Sequence, residues 1–364
     1  MNKPHILFIT PLPPPVHGSA MVSRYLQESE CLQEQYQTTF VNLSTSRKMN
    51  EIGKRSIWKM LRFVGTYGTV LSKLLMYRYD LCYLAITCQG IGFLKDAPFV
   101  LLCKLFCKKV VVHQHNKGMS RVVHRFPYNR LLPWVYRKVD VILLSWKLYP
   151  DVEEVVPKEK VWICPNGIPE VEYMKQQPRS EVPRLLFLSN LVESKGVYVL
   201  LDACKQLKER GHRFVCHFVG GESKEISRVR FQQEVADRQL EDCVFYVGPQ
   251  YGEDKERYFQ EATIFVQPTF EDCFPLTILE AMQHGLPGVS TDEGAIPDMV
   301  IDGETGFICP RKDVDALVNS IEKLLIDNEL CKQMGEKGRL RYKERYTMEA
   351  FEKKFLDILS EILN

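Results

Sequence analysis

TIFVQPTFEDCFPLTILEAMQHGLPGVS, residues 263–290, has the pattern of a strand, a turn, a helix and a second strand. The apolar and β-branched run 263–267 is typical of a buried parallel strand. Pro275 suits the first helical position, where its missing N–H is not needed, and Gly285 suits the helix end. The apolar run 286–290 predicts the next strand. The helix N-terminus therefore lies at the carboxyl edge of a parallel sheet, where free amides attract phosphate.

Three carboxylates accompany this unit. Glu271 and Asp272 are adjacent in the turn, and Glu280 lies about one and a half turns into the helix at roughly 100° per residue. Adjacent residues of an extended turn point to opposite sides, so only one of Glu271 and Asp272 is expected to face a ligand. The alternative is that Glu280 is a solvated carboxylate on the helix surface.

The spacing of these acids resembles that of the group 4 retaining glycosyltransferases of the GT-B fold, also described as glycosyl transferases group 1. That family carries two glutamates separated by seven residues, followed by Ala-Met-x-x-Gly-x-Pro. Asp272 and Glu280 have this spacing here, and the run STDEGAIPDMVIDGETGF at 290–307 resembles the family as well. The residues that follow Glu280 in the same pattern are Ala281, Met282, Gly285 and Pro287.

The resemblance implies an α/β fold with two facing Rossmann-like domains, parallel sheets and a C-terminal crossover helix. The alternation of strand and helix patterns along the chain independently predicts parallel sheets with right-handed crossovers. We expect an acceptor-side domain at 1–170 and a nucleotide-sugar-binding domain at 171–346. The segment 347–364 is expected to be a helix that packs on the N-terminal domain.

Length and composition fit a globular protein of two domains. The chain has 364 residues, of which 45% are hydrophobic and 26% charged. No window of 18 apolar residues and no basic–apolar signal pattern occurs, so a cytoplasmic location is expected. Twelve cysteines are scattered without a CxxC pair, which predicts free thiols and argues against a disulfide scaffold or a zinc site.

The net charge of +2 hides an asymmetry between the two halves. Residues 1–170 hold 23 Lys/Arg against 12 Asp/Glu, whereas the remainder is acidic. The run 47–79 has eight Lys/Arg and one acid, interleaved with apolar and aromatic residues, which favours a helix on an anionic membrane. The alternative is an ordinary amphipathic outer helix. A nucleic-acid partner is disfavoured because no recognised binding motif is present. These patterns allow a peripheral place on the inner face of the cell membrane.

Two places in the N-terminal half suit ligand contact. Gly18 lies in the loop after the predicted strand 5–10, where a glycine lets a ligand approach the backbone, although a simple tight turn is the alternative. GxGxxG is absent, which argues against a nicotinamide or flavin enzyme. His113 and His115 end the predicted strand 108–118, and His115 is nearer the loop. The resemblance implies that this histidine faces the donor sugar and the acceptor.

The first strand of the second domain, 184–189, is followed by NLVESKG. The family usually has an arginine and a Lys-Gly pair here, which hold the donor diphosphate. Lys195 and Gly196 match, and Asn190 replaces the arginine. Lys195 is a point charge for phosphate, whereas Asn190 offers only a neutral amide.

The resemblance implies a retaining transfer of a sugar from a nucleotide sugar, with a UDP-sugar as the expected donor. The acceptor is expected to be a glycan or lipid-linked hydroxyl in polysaccharide biosynthesis. Glu280 would bind the ribose, Asp272 or Glu271 the sugar, and His115 would lie where acceptor meets donor. No cofactor or metal is expected, because no Asp-x-Asp motif follows a strand. The alternatives are a GT-B-fold nucleotide-sugar epimerase and a non-catalytic nucleotide-sugar-binding partner. The residues expected to bind the donor are Gly18, Asn190, Lys195, Cys273, Phe274, Pro275, Leu276 and Glu280.

Overall fold

The computed structural model describes residues 3–14, 18–44, 57–171 and 181–364. The chain divides into two compact units. Unit 1 comprises Met1–Gly167 and Glu349–Asn364, and unit 2 comprises Ile168–Met348. The acceptor-side and donor-side roles expected for the two parts stay predictions.

Unit 1 is built on a six-stranded parallel sheet in the order β2-β1-β3-β4-β5-β6. Its strands other than β2 are mostly apolar runs, as expected when helices cover both faces. The strands are β1 His5–Thr10, β2 Gln37–Asn42, β3 Leu81–Leu84, β4 Lys109–Gln114, β5 Asp140–Leu143 and β6 Val161–Ile163. The helices are α1 Gly18–Glu28, α2 Glu30–Gln35, α3 Ile57–Met76, α4 Gly90–Phe106 and α5 Tyr128–Tyr136.

Unit 2 repeats the architecture with the strand order β12-β11-β10-β7-β8-β9. The strands are β7 Arg184–Leu188, β8 Val215–Val219, β9 Val244–Gly248, β10 Ile264–Gln267, β11 Gly288–Thr291 and β12 Gly306–Cys309. The helices are α6 Val197–Glu209, α7 Arg228–Asp237, α8 Gly252–Glu261, α9 Leu276–Gln283, α10 Ile296–Met299, α11 Val314–Ile326 and α12 Asn328–Arg345. The α/β class with two parallel sheets is therefore confirmed.

The last helix, α13 Met348–Leu363, returns the chain to unit 1. Its apolar side is buried, and the Phe355 ring packs edge-on against Tyr83 of β3, with their centroids 5.4 Å apart. The chain thus begins and ends in the same unit.

Several element bounds differ from the sequence-based expectations. Pro275 caps α9 and is not its first residue. Helix α6 begins only at Val197, two residues after Lys195, because Gly196 adopts a left-handed conformation (φ 85°) after a short 3-10 turn, Glu193–Lys195. Strand β2 was not predicted, since its polar residues, QTTFVN, give only a weak apolar signal.

The cysteines lie mostly in the interior of the protein. All twelve cysteines are free thiols, and only Cys31 is exposed. Within the described ranges, no helix combines the length and the apolar character needed to cross a bilayer.

Candidate active site

The loops that follow β7 and β10 meet because these two strands are neighbours in the unit 2 sheet. Parallel strands place their carboxyl ends at one edge, so the two loops share that edge. Lys195 from the first loop reaches Asp272 in the second, with Nζ 2.6 Å from Oδ2. The same ammonium donates to the Glu271 backbone oxygen at 3.0 Å. A cation and a carboxylate are thereby held together at the sheet edge.

The position of Lys195 depends on the glycine that follows it. Gly196 passes so close to β10 that a Cβ atom there would collide with the Pro268 carbonyl oxygen. Backbone bonds complete the attachment, since the Phe270 amide donates to the Ser194 oxygen at 2.8 Å. The Lys-Gly pair of the sequence thus serves two purposes: glycine permits the close approach, and lysine supplies the charge.

The structure distinguishes the two adjacent acids of the turn. Glu271 is exposed, whereas the Asp272 side chain is 17% exposed and directed at Lys195. This arrangement agrees with the spacing argument that selects Asp272 over Glu271. Which acid contacts a sugar stays a prediction.

Glu293 holds the turn that contains Glu271 and Asp272, and the sequence analysis did not predict this role. Its side chain is 1% exposed, accepts from the Asp272 amide at 3.0 Å and pairs with Arg311 at 3.1 Å. Gly294 follows in a left-handed conformation (φ 56°), and a Cβ there would also meet the Asp272 carbonyl oxygen, so both observations favour glycine. Glu293 lies two residues after the end of β11, but no motif in a single sequence marks it as buried.

The start of α9 contains the other predicted donor residues. Cys273, Phe274 and Pro275 are buried just before the helix, and Leu276 is its first residue. Phe274 packs edge-on against Tyr346, with centroids 6.0 Å apart. Because α9 follows the loop after β10, its N-terminus lies at the same sheet edge as Lys195, as expected for an anion site.

Glu280 lies further along α9 and is paired with a residue that the sequence did not reveal. Its Oε1 accepts from Lys255 of α8 at 2.7 Å. Burial raises the pKa of Glu280 above its usual value, and Lys255 opposes that effect. Burial also acts to lower the pKa of Lys255, but Glu280 and Glu256 outweigh it, so that pKa is raised. The alternative interpretation of Glu280 as a solvated carboxylate does not fit this buried, paired environment.

Asn190 has a structural contact of its own. Its Oδ1 accepts from the Gly221 amide at 2.9 Å, which ties the loop after β7 to the loop after β8. Its residue is exposed at the sheet edge. A contact from Asn190 to a diphosphate stays a prediction.

The remaining predicted residues belong to unit 1. Gly18 is exposed and begins α1. His115 directly follows β4, and its ring packs against His113 in a tilted arrangement with centroids 4.0 Å apart. His113 is fully buried and its Nδ1 lies 2.7 Å from the Tyr83 hydroxyl. Burial, with His115 adding to it, holds the pKa of His113 well below its ordinary value, so His113 is neutral.

Comparison with known proteins gives a family match for part of the chain. Residues 170–341 match the family model of the glycosyl transferases group 1. The amylovoran biosynthesis glycosyltransferase AmsK of Erwinia amylovora is 31% identical over 225 residues, covering 60% of this chain and 52% of the relative. The chain thus spans about half the length of the first curated relatives that it matches.

Solved structures agree on the fold. Sucrose-phosphate synthase from Thermosynechococcus elongatus superposes with a TM-score of 0.79 at 20% identity, covering 99% of both chains. HepE from Anabaena, solved with UDP and glucose, gives 0.75 at 16% identity, covering 98% of this chain and 99% of the other. The fold is therefore the α/β fold of the GT-B type. The chain carries a domain of the glycosyl transferases group 1 family, and that domain contains Lys195, Asp272 and Glu280.

Proposed function

We propose that the protein is a retaining glycosyltransferase that moves a sugar from a UDP-sugar to a glycan or lipid-linked hydroxyl in polysaccharide biosynthesis. The observation that carries the proposal is the Lys195–Asp272 pair at 2.6 Å, in front of the α9 N-terminus. A positive charge and free amides suit a diphosphate, and a carboxylate beside them suits sugar hydroxyls.

The proposed reaction breaks the bond between the anomeric carbon and the diphosphate oxygen. Lys195 and the first-turn amides of α9 stabilise the negative charge that develops on the diphosphate. Asp272 hydrogen-bonds the sugar, and Glu280 hydrogen-bonds the ribose. The acceptor oxygen bonds to the anomeric carbon on the face that the diphosphate leaves, and the leaving phosphate takes the acceptor proton. His115 is assigned to the meeting point of acceptor and donor.

Metal independence is part of the proposal. The positive charge that a divalent cation would supply to the diphosphate comes here from Lys195 and the helix amides. Turnover in EDTA is expected to equal turnover in added Mg²⁺. A requirement for the cation would remove this part of the proposal and leave the donor site in place.

The names of the similar proteins support the choice of donor and setting. The relative from Erwinia amylovora is named for amylovoran biosynthesis, and HepE was solved with UDP and glucose. A thermal-shift screen against UDP-, GDP- and ADP-sugars tests the nucleotide. We expect stabilisation by UDP-sugars, and stabilisation by only GDP- or ADP-sugars would replace the nucleotide in the proposal.

Release of UDP separates the proposed transferase from its two alternatives. A transferase releases UDP in proportion to the acceptor that is added. The acceptors in this assay are a lipid extract and an oligosaccharide pool from polysaccharide-producing bacteria. An epimerase would convert the sugar without acceptor, and a silent binding partner would do neither. Acceptor-independent release of a changed sugar would contradict the proposal.

We propose further that the outer face of α3 contacts an anionic membrane. Part of the basic run 47–79, residues 47–56, lies outside the described residues. In α3 itself, Phe63, Tyr67 and Leu74 pack towards the core. A second apolar stripe, beside the first, is exposed in the N-terminal turns of α3, where an ordinary amphipathic helix would place polar residues. The exposed residues are Ile57, Trp58, Met60, Leu61 and Val64.

Vesicle binding tests this contact. Binding to phosphatidylserine vesicles should weaken as salt rises, because Lys59 and Arg62 accompany the apolar stripe. Trp58→Ser with Leu61→Ser should reduce binding at every salt concentration, whereas Lys59→Gln with Arg62→Gln should remove the salt dependence. Equal binding of all variants to phosphatidylcholine and phosphatidylserine would contradict the proposal.

A further inference from the structure

Two neighbouring helices of unit 2 enclose a cluster of four ionisable side chains. Lys255 and Glu256 come from α8, and Glu280 and His284 come from α9 and its C-terminal cap. At most 23% of any of these side chains is exposed. Charged groups at this depth require partners, because the loss of hydration is otherwise uncompensated.

Lys255 lies between two carboxylates. Its Nζ is 2.7 Å from Glu280 Oε1 and 3.7 Å from Glu256 Oε1. The other Glu280 oxygen, Oε2, makes no hydrogen bond within the described part of the chain. One oxygen of Glu280 is therefore held by protein and the second remains open to a ligand hydroxyl.

His284 and Glu256 form a second pair beside that of Lys255 and Glu280. His284 Nδ1 donates to the Glu280 backbone oxygen at 2.8 Å, and His284 Nε2 lies 3.0 Å from Glu256 Oε2. The His284 ring also stacks on Phe259, with centroids 5.0 Å apart. These contacts fix the end of α9 against α8, so the distance between Lys255 and Glu280 is set by the packing of both helices.

We propose that Lys255 is a positioning residue for the donor: its ammonium holds Glu280 Oε1 and directs Oε2 to the ribose hydroxyls of the nucleotide. This inference rests on the proposed function, in which Glu280 binds the ribose. Lys255 acts through Glu280 and is not itself a catalytic residue.

The charge of Lys255 is as important as its position. A buried carboxylate without a cation takes up a proton, and a neutral carboxyl forms weaker hydrogen bonds to hydroxyls. Burial already raises the pKa of Glu280, and Lys255 is the largest influence that lowers it. Glu256 raises that pKa and His284 lowers it. On the other side of α9, Tyr342 of α12 bonds to Gln283 at 2.9 Å.

UDP binding measured by calorimetry between about pH 5.5 and 8.5 tests the proposal, since this interval spans the range in which a buried carboxyl titrates. Without Lys255 the pKa of Glu280 rises further, so the carboxylate is present at high pH and lost as pH falls. Lys255→Met should weaken UDP binding about tenfold near pH 6, as expected for one lost charge-assisted bond, and much less near pH 8.5. Lys255→Arg should retain the wild-type pH profile.

The matched control is Lys208→Met, which removes a surface lysine paired with Asp242 at 2.6 Å. It should leave the UDP affinity unchanged at every pH. In a Glu280→Gln background, Lys255→Met should cause no further loss, because the group that Lys255 holds ionised is gone. Lys255→Gln provides the same comparison if Lys255→Met does not fold.

The outcomes separate this inference from the proposed function. If Glu280→Gln weakens UDP binding but the Lys255 variants bind like wild type at every pH, the role of Lys255 is refuted and the donor site stands. A pH-independent loss in Lys255→Met would also refute it, since only packing would then be involved. If Glu280→Gln leaves UDP affinity unchanged, the donor-site assignment itself fails.

Discussion

The end of β4 in unit 1 and the end of β10 in unit 2 are both carboxyl ends of interior strands in parallel sheets, but their chemistry differs. Where β4 ends, a hydrogen bond joins His113 to Tyr83 and the His115 ring packs against His113; burial holds the pKa of His113 well below its ordinary value, so its ring is neutral. Beyond β10, Lys195 faces Asp272 at 2.6 Å. We call these two places the neutral edge and the charged edge, after the uncharged His113–Tyr83 pair of one and the charged Lys195–Asp272 pair of the other.

The difference indicates which edge suits the diphosphate. An anion needs a cation or free amides. The edge at β10 has Lys195 and the N-terminus of α9, whereas the His113–Tyr83 pair offers only neutral rings. A neutral imidazole next to a strand end is instead suited to hydroxyl groups. The comparison thus supports the proposed donor site in unit 2, and the place of His115 between acceptor and donor stays a prediction.

The largest expected effect concerns the charged edge. Asp272→Asn should lower turnover more than tenfold, because it removes charge-assisted bonds of about 1.5–3 kcal/mol each. Glu271→Gln is the matched control and should lower turnover less than threefold, since the Glu271 side chain is exposed and only its backbone oxygen bonds to Lys195. Transfer assays decide between them. If Glu271→Gln is the inactive variant, the register of the acidic turn is wrong by one residue.

The next effect concerns binding without chemistry. Glu280→Ala should reduce affinity for the nucleotide sugar about tenfold or more, because a ribose bond to a carboxylate contributes about 1.5–3 kcal/mol. The alanine also removes the partner of Lys255, so unfolding should be measured alongside calorimetry. An alanine variant that folds and keeps its donor affinity would show that Glu280 belongs to the scaffold only.

The smallest effect concerns the neutral edge and is a matter of stability. Since the pKa of His113 is lower in the folded than in the unfolded chain, the unfolded state binds the extra proton. Unit 1 should therefore lose stability as pH falls below about 6.5, at up to about 1.4 kcal/mol per pH unit for this group. Fluorescence reports unit 1, which contains all four tryptophans: Trp58, Trp134, Trp146 and Trp162.

Variants separate His113 from other titrating groups. His113→Gln should flatten the pH dependence of unfolding by urea, while His5, whose pKa burial also lowers, contributes equally to both proteins. An unchanged slope in His113→Gln would mean that His113 is protonated in the folded state, and the contrast between a neutral and a charged edge would fail.

Much of the charged edge could be predicted from sequence because its residues are local. Asp272, Glu280 and the helix ends lie within one strand–turn–helix unit, where spacing, proline and glycine carry the information. Lys195 was selected because its Lys-Gly pair resembles the family pattern, as the spacing of Asp272 and Glu280 does. The α/β class follows from alternating patterns, which local periodicity reports well.

The partners supplied by distant segments could not be predicted. Lys255 contacts Glu280 across two helices, and Glu293 contacts Asp272 from the loop after β11. Each contact depends on how elements pack, and lysine or glutamate in an outer helix or a loop has the same local pattern whether exposed or buried. The contact between the His115 and His113 rings was also not predicted, because the spacing of the two histidines does not indicate whether they are buried.

Hydrogen-exchange mass spectrometry with UDP tests the donor-site assignment most directly. We predict that UDP slows exchange in unit 2 at 190–196 and 271–280, where Lys195, Asp272 and Glu280 lie, and that Lys195→Ala removes this protection. Protection confined to the end of β4 and to α1 in unit 1, unchanged by Lys195→Ala, would contradict the account.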